Sequence, residues 1–159
     1  MVLRAGQALV IRAGIVLLTS EGLAAIERVR DGTTYHVLPG GQVEDGESPP
    51  EAARREAYEE LGLLVKVRGL VAVVHFGQST QQYYVAEQIG GEFGTGDGPE
   101  MASSPESERG SYRAVWLPVR ELAVRDLKPK PIAAALDHAP DPQWLLDGWL
   151  ESPVVFEEV

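Results

Sequence analysis

From Ala8 to Leu18 the chain is almost continuously β-branched or apolar, and Leu23 to Arg30 repeats the pattern in a shorter run that ends in charge. Runs of this kind predict strands, with Ser20-Glu21-Gly22 as the turn between them. A further strand, Tyr35 to Leu38, leads into Pro39-Gly40-Gly41 and a polar loop, Gln42 to Gly46. The period then changes. Ala53, Ala57 and Leu61 recur every four residues, a narrow stripe of mostly small side chains suited to close packing on a sheet. Ser48 at the N-cap, Pro49 at the first helical position and Glu51 in a Ser-x-x-Glu box start this helix, and Gly62 stops it.

Beyond the helix the alternation returns. Val65 and Val67 flank Lys66, Gly69 interrupts, and Leu70 to Phe76 is mostly apolar, which predicts one long strand with a bend or bulge. Gln82 to Ile89 reads as its neighbour. The segment from Gly90 to Ser111 is rich in Gly, Ser, Pro and Glu, and its length marks it as a candidate lid loop, 90–111. Arg113 to Leu117 predicts a short strand, Val119 to Leu122 a helical turn, and Ile132 to His138 and Pro142 to Leu150 helices. Residues 151–159 read as a tail. With no repeat and no linker, the 159 residues are expected to form a single domain, 1–159.

Composition narrows the class. The chain is 44% hydrophobic and 24% charged, so it can bury a core. It has no cysteine, which removes disulfides, thiolate metal sites and thiol nucleophiles together. Fourteen Lys and Arg against twenty-four Asp and Glu give a formal net charge of −10, a field that repels nucleic acid. No apolar stretch approaches the ~20 residues of a membrane span. The expected protein is cytoplasmic, with no nucleic-acid or membrane partner. Divalent cations would still allow an acidic protein to bind a phosphorylated small molecule.

Such a cation has an obvious seat. Glu56, Glu59 and Glu60 stand at i, i+3 and i+4 and share one helix face, where like charges repel unless compensated. A solvated acidic face would explain that spacing equally well, but its surroundings do not permit so bland a reading. Counting from Gly41, five residues lead to Glu47, seven more to Arg55, and then to Glu56-Ala57-Tyr58-Glu59-Glu60-Leu61-Gly62-Leu63. This resembles the Nudix box, G-x5-E-x7-R-E-U-x-E-E-x-G-U with U a bulky aliphatic. Every fixed polar and glycine position matches from Gly41 to Leu63, and Ala57, smaller than the aliphatic residue usual at its slot, is the one departure.

The resemblance to MutT-like Nudix hydrolases implies an α/β (α+β) fold, an α/β/α sandwich with a mixed central β-sheet. It also implies a hydrolase acting on phosphorus-containing anhydrides, a Mg2+-dependent nucleotide pyrophosphohydrolase that cleaves a nucleoside diphosphate linked to another moiety X, with Mn2+ as a substitute. By that resemblance Glu59 and Glu60 are the principal metal ligands, Glu56 is a ligand or general base, and the Gly40 carbonyl completes the metal site. Arg55 and Glu47 form an ion pair that orients the ligands. The base is either Glu56 or a loop carboxylate, Glu100, Glu106 or Glu108. A homodimer is frequent in the family, although no residue pattern here marks an interface. The alternative is a noncatalytic Nudix domain that senses a nucleotide or sugar nucleotide; the complete carboxylate set favours the enzyme.

Substrate residues lie outside the box. Tyr35, His36, Phe76, Tyr83, Tyr84, Phe93, Tyr112 and Trp116 could each stack on a base or pack in the core, and Tyr35 and His36 rank first for their closeness to the Gly-Gly loop. Arg28, and after it Arg30, could reach phosphate. Trp116, Trp144 and Trp149 read as core or helix-packing residues. No proline falls between Leu63 and Gly98, so the downstream proline associated with ADP-ribose pyrophosphatases is missing, as is the signature of the NADH-specific group. The absent basic surface and absent cysteine speak against decapping and isopentenyl diphosphate isomerase branches.

Overall fold

The computed structural model describes residues 10–102 and 108–158. Ten strands and three helices follow in the order β1 (Val10–Val16), β2 (Leu18–Thr19), β3 (Gly22–Arg30), β4 (Thr33–Val37), β5 (Gly40–Gln42), α1 (Pro49–Leu61), β6 (Leu63–Phe76), β7 (Ser79–Gly91), β8 (Ser111–Leu117), β9 (Leu127–Lys128), α2 (Lys130–His138), α3 (Pro142–Glu151) and β10 (Val154–Glu158). The expected central sheet is divided into two mixed five-stranded sheets. One has the order β10-β6-β7-β1-β5; the other runs β2-β3-β4-β9, with β8 on the free edge of β3. Among the described residues no helix is long and apolar enough to cross a membrane.

Strand alternation sorts the apolar side chains into two cores. Ala24 and Ile26 of β3 join Ala13, Ile15 and Leu17 beneath the stripe of α1, where Ala53, Ala57 and Leu61 are fully buried. Leu23 and Ala25 point the other way, into a cluster with Ile132 and Leu136 of α2 and Leu146 and Trp149 of α3. The small stripe lets α1 lie close to the sheet. At its start the Ser48 side chain accepts from the Glu51 amide at 3.3 Å, and at its end Gly62 adopts φ 78°, a left-handed cap that donates to the Tyr58 carbonyl.

The interruption expected at Gly69 is a register shift between Val67 and Gly69, one of three along β6–β7. Three expectations need correction. The closing segment is no tail, because Val154 to Glu158 pair in parallel with Ala72 to Phe76, and Phe156 meets Trp149 edge-on with ring centres 6.1 Å apart. Alternating Val-Val-Phe residues can cover a sheet edge, and it is this pairing that immobilises them. Trp144 is 74% exposed, since the third residue of α3 falls on the face away from Leu146 and Trp149. The first half of the 90–111 segment is not a free lid. The amides of Glu92, Gly94 and Gly98 donate to the carbonyls of Gly62, Leu61 and Glu59 at 2.9–3.2 Å, because the last turn of α1 leaves those acceptors without helical partners. Phe93 then stacks on Trp116 with centres 4.3 Å apart.

Candidate active site

A cavity of about 1200 Å³ is lined by β5, one face of α1 and the Pro99–Ala102 turn, together with residues of β3, β9 and the start of α2. It is large enough for a dinucleotide-sized ligand, ordinary small-molecule pockets being about 300–1000 Å³. Glu56, Glu59 and Glu60 all line it, as the spacing on α1 requires.

Arg55 organises these carboxylates. Its Nε and Nη2 donate to the two oxygens of Glu47 at 2.8 and 3.1 Å, a bidentate pair, while Nη1 donates to Glu56 at 2.9 Å and to Glu59 at 3.1 Å. Nη2 also reaches the Gln42 carbonyl at 3.1 Å, tying the loop before the helix to the helix itself. The Arg55 bond holds the Glu47 carboxyl below its ordinary range, and Glu47 in turn keeps the guanidinium charged.

Glu60 lies deeper, only 6% exposed. One oxygen accepts the Gly40 amide at 2.7 Å, yet burial, and then the nearby Glu56 charge, raise its carboxyl to about 8. Burial also raises Glu56. Gly41 makes this closeness possible: a Cβ there would stand 2.2 Å from Glu56 Oε1.

Among the described residues no three His, Asp or Glu side chains form a finished cation cage. Arg55 engages Glu56 and Glu59, and the Gly40 amide engages Glu60. The donor set nonetheless fits a hard cation that keeps most of its waters and takes one or two carboxylates plus ligand phosphate oxygens, as magnesium does. The like charges crowded at Glu56 and Glu60 are what such an ion would offset.

The other candidates separate cleanly. Glu100 lines the cavity and its charge reaches both Glu56 and Glu60, whereas Glu108 is exposed and does not line it, and Glu106 lies outside the described residues. Arg28 and Tyr112 line the cavity, and Tyr35 backs Arg28 at 5.6 Å. His36 does not line it. As the next residue along β4 it faces the opposite side, 3% exposed, with Nδ1 donating to the Arg125 carbonyl at 2.5 Å and Nε2 3.3 Å from Glu27. Arg30 is exposed and 3.9 Å from Asp31. Phe76 and Tyr83 also line the cavity; Tyr84 and Trp116 pack in the core beneath α1. Sequence reasoning missed the lining cations Arg12, Arg109, Lys128 and Lys130, since nothing local distinguishes them from surface charge.

The sequence profile of the NUDIX domain matches residues 8–138. A protein named ADP-ribose pyrophosphatase from Methanocaldococcus jannaschii is 39% identical over 71 residues, which cover 41% of this chain and 42% of that protein. The chain therefore matches less than half the length of this curated relative. Among solved structures, a NUDIX hydrolase from Nitrosomonas europaea superposes with a TM-score of 0.63 at 17% identity, over 96% of this chain and 81% of that one. A protein described as a UDP-X diphosphatase gives 0.61 at 18%, over 96% and 69%. Likeness at such identity speaks for the fold alone.

Proposed function

The chain belongs to the NUDIX domain family, and on that premise we propose that it is a Mg2+-dependent hydrolase of a nucleoside diphosphate linked to a second moiety X, with Mn2+ as a substitute ion. The observation that carries the reading is that Glu56, Glu59 and Glu60 converge on one large cavity under the grip of Arg55. A relative named for ADP-ribose cleavage supports the substrate class. Because the proline associated with the ADP-ribose group is missing, X itself is left to experiment.

Glu59 and Glu60 would hold the ion, with Glu56 and the Gly40 backbone beside them. When bound, it would neutralise phosphate oxygens and make a water nucleophilic near neutral pH. The chain's own residues supply the rest. Arg55 fixes the carboxylates before substrate arrives, and its bond to Glu56 Oε1 leaves Oε2 to take a proton from the attacking water. Glu100, on the turn beside them, is the second carboxylate placed for that role. Substrate is a small molecule, and the acidic surface disfavours nucleic acid. We place the protein in the cytoplasm as one domain.

The test is phosphate release, with and without added phosphatase, over dNTPs, NDPs, dinucleoside polyphosphates, ADP-ribose, nucleotide sugars and coenzyme A. Mg2+-dependent turnover that disappears in Glu60→Gln is the expected result. Near wild-type turnover in folded Glu59→Gln and Glu60→Gln would overturn it, and tight binding without turnover would favour a nucleotide sensor.

A further inference from the structure

The cations that line the cavity divide by place: Arg12, whose charge acts on Glu60, and Arg55 lie at the carboxylate end, and four others lie on the wall. Arg55 is bound by Glu47, Glu56 and Glu59. Arg28, Arg109, Lys128 and Lys130 gather on one wall with no carboxylate within ion-pair distance among the described residues; Arg30, Arg68, Arg113 and Arg125 on other surfaces each have one, whereas Arg54, Lys66 and Arg120, also unpaired, are scattered. In a chain with ten more acidic than basic residues, cations left without carboxylates along one wall need a reason.

Strand register builds that wall. Arg28 on β3 is directly opposite Tyr35 on β4 and Tyr112 on β8, so an arginine stands between two aromatic rings. Its guanidinium lies 3.7 Å from the Tyr112 ring centre and 5.6 Å from that of Tyr35, and Nη2 donates to the Arg109 carbonyl at 2.5 Å. Its Nε is buried and has no hydrogen-bond partner among the described residues. Burying a donor without a partner is costly, so the rings that enclose it fix the guanidinium's place at the wall. Val37 pairs with Lys128, which sets the Lys128 ammonium 4.7 Å from the Tyr35 ring. Lys130 opens α2, where the helix start adds positive potential.

We propose that this wall of Arg28, Arg109, Lys128 and Lys130 receives a second anionic group of the substrate, a phosphate or carboxylate distinct from the diphosphate. The inference rests on the reading of the cavity as a nucleoside diphosphate-X site and narrows it: the preferred substrate carries charge on X or on its nucleoside sugar. Two matched pairs separate those sources. UDP-glucuronic acid against UDP-glucose adds a carboxylate to X, and coenzyme A against dephospho-coenzyme A adds a phosphate to the nucleoside.

Affinity is measured by calorimetry in EDTA, so that the carboxylate end contributes no cation-bridged contact. In one of the pairs the anionic member should bind about tenfold tighter, a preference that fades with added salt and is lost in Lys128→Gln/Lys130→Gln, at about threefold per exposed lysine. Both lysines are exposed, so this variant should fold, whereas Arg28→Gln needs its thermal transition checked first. Equal affinities within both pairs, no binding by any of the four compounds, or a preference that survives in the double variant would each overturn the proposal. Failure of the hydrolysis panel is read separately. Turnover without an anionic preference removes only this inference, and an anionic preference without turnover removes only the hydrolase.

Discussion

Gly41→Ala is the sharpest probe of the carboxylate cluster. The added methyl would stand 2.2 Å from Glu56 Oε1 and 2.6 Å from its carboxyl carbon. Ordinary contact is about 3.5 Å, so the carboxylate must retreat by roughly 1 Å or swing aside. It is the free end of a flexible side chain, and β5 around Gly41 has ordinary strand geometry, so the backbone has no reason to move. What is lost is the 2.9 Å bond from Arg55, about 1.5–3 kcal/mol for a charge-assisted contact. Loss of glycine's unfolded-state freedom returns about 0.4–1 kcal/mol of that. Net destabilisation of about 1–2 kcal/mol corresponds to a Tm lower by roughly 2–8 °C in a chain of this size. Activity should suffer far more, because misplacing a catalytic group by 1 Å costs on the order of 100-fold. The assay is kcat/KM on the best substrate of the panel beside a thermal melt. Gly148→Ala, on an exposed position of α3 with open space around it, is the matched control and should gain slightly in Tm. Near wild-type kcat/KM in folded Gly41→Ala would refute the packing argument.

Three further outcomes are expected. Glu60 has a carboxyl raised from 4.5 to about 8 in the folded protein, so its stabilising contribution is present below about pH 4.5 and is lost as pH rises through 8. The metal-free Tm should therefore fall across that window more steeply in wild type than in Glu60→Gln, where Glu56, also raised by burial, still titrates, and melts from pH 5 to 9 will show whether it does. Arg55→Lys replaces a planar fork holding Glu47, Glu56, Glu59 and the Gln42 carbonyl by a point charge, and should lower activity roughly 10–100-fold with Glu60 still in place. Phe156→Ala removes the edge contact to Trp149 and should cost about 2 kcal/mol, read as a Tm drop of roughly 4–8 °C; no change would mean that β10 contributes little.

What could be read from the residues alone follows the range of the forces involved. α1 was legible end to end, because its cap, its stripe and its glycine stop are local signals, and Pro49–Leu61 is the observed helix. The convergence of Glu56, Glu59 and Glu60 follows from helical spacing. Residues 154–158 were opaque because their strand character depends on a partner some eighty positions earlier. The same holds for Lys128 and Lys130, which become cavity residues only through the pairing of β9 with β4. His36 was misplaced by one residue's worth of parity: closeness to the Gly-Gly loop is shared by both neighbours on β4, but only Tyr35 backs the cavity.

That parity also sets the sign of the cavity wall. On β3, Arg28 has tyrosines on both flanks, while the adjacent Glu27 has His36 on one side and Arg113 on the other, bonded at 3.3 and 2.9 Å. The two triplets point to opposite faces. A single-residue insertion or deletion in β3 would exchange them, placing a carboxylate where the guanidinium stands and stranding an arginine above the second core. The length of this strand is therefore as firmly constrained as its composition, and evolutionary change in ligand charge is open to substitution at position 28 but closed to slippage.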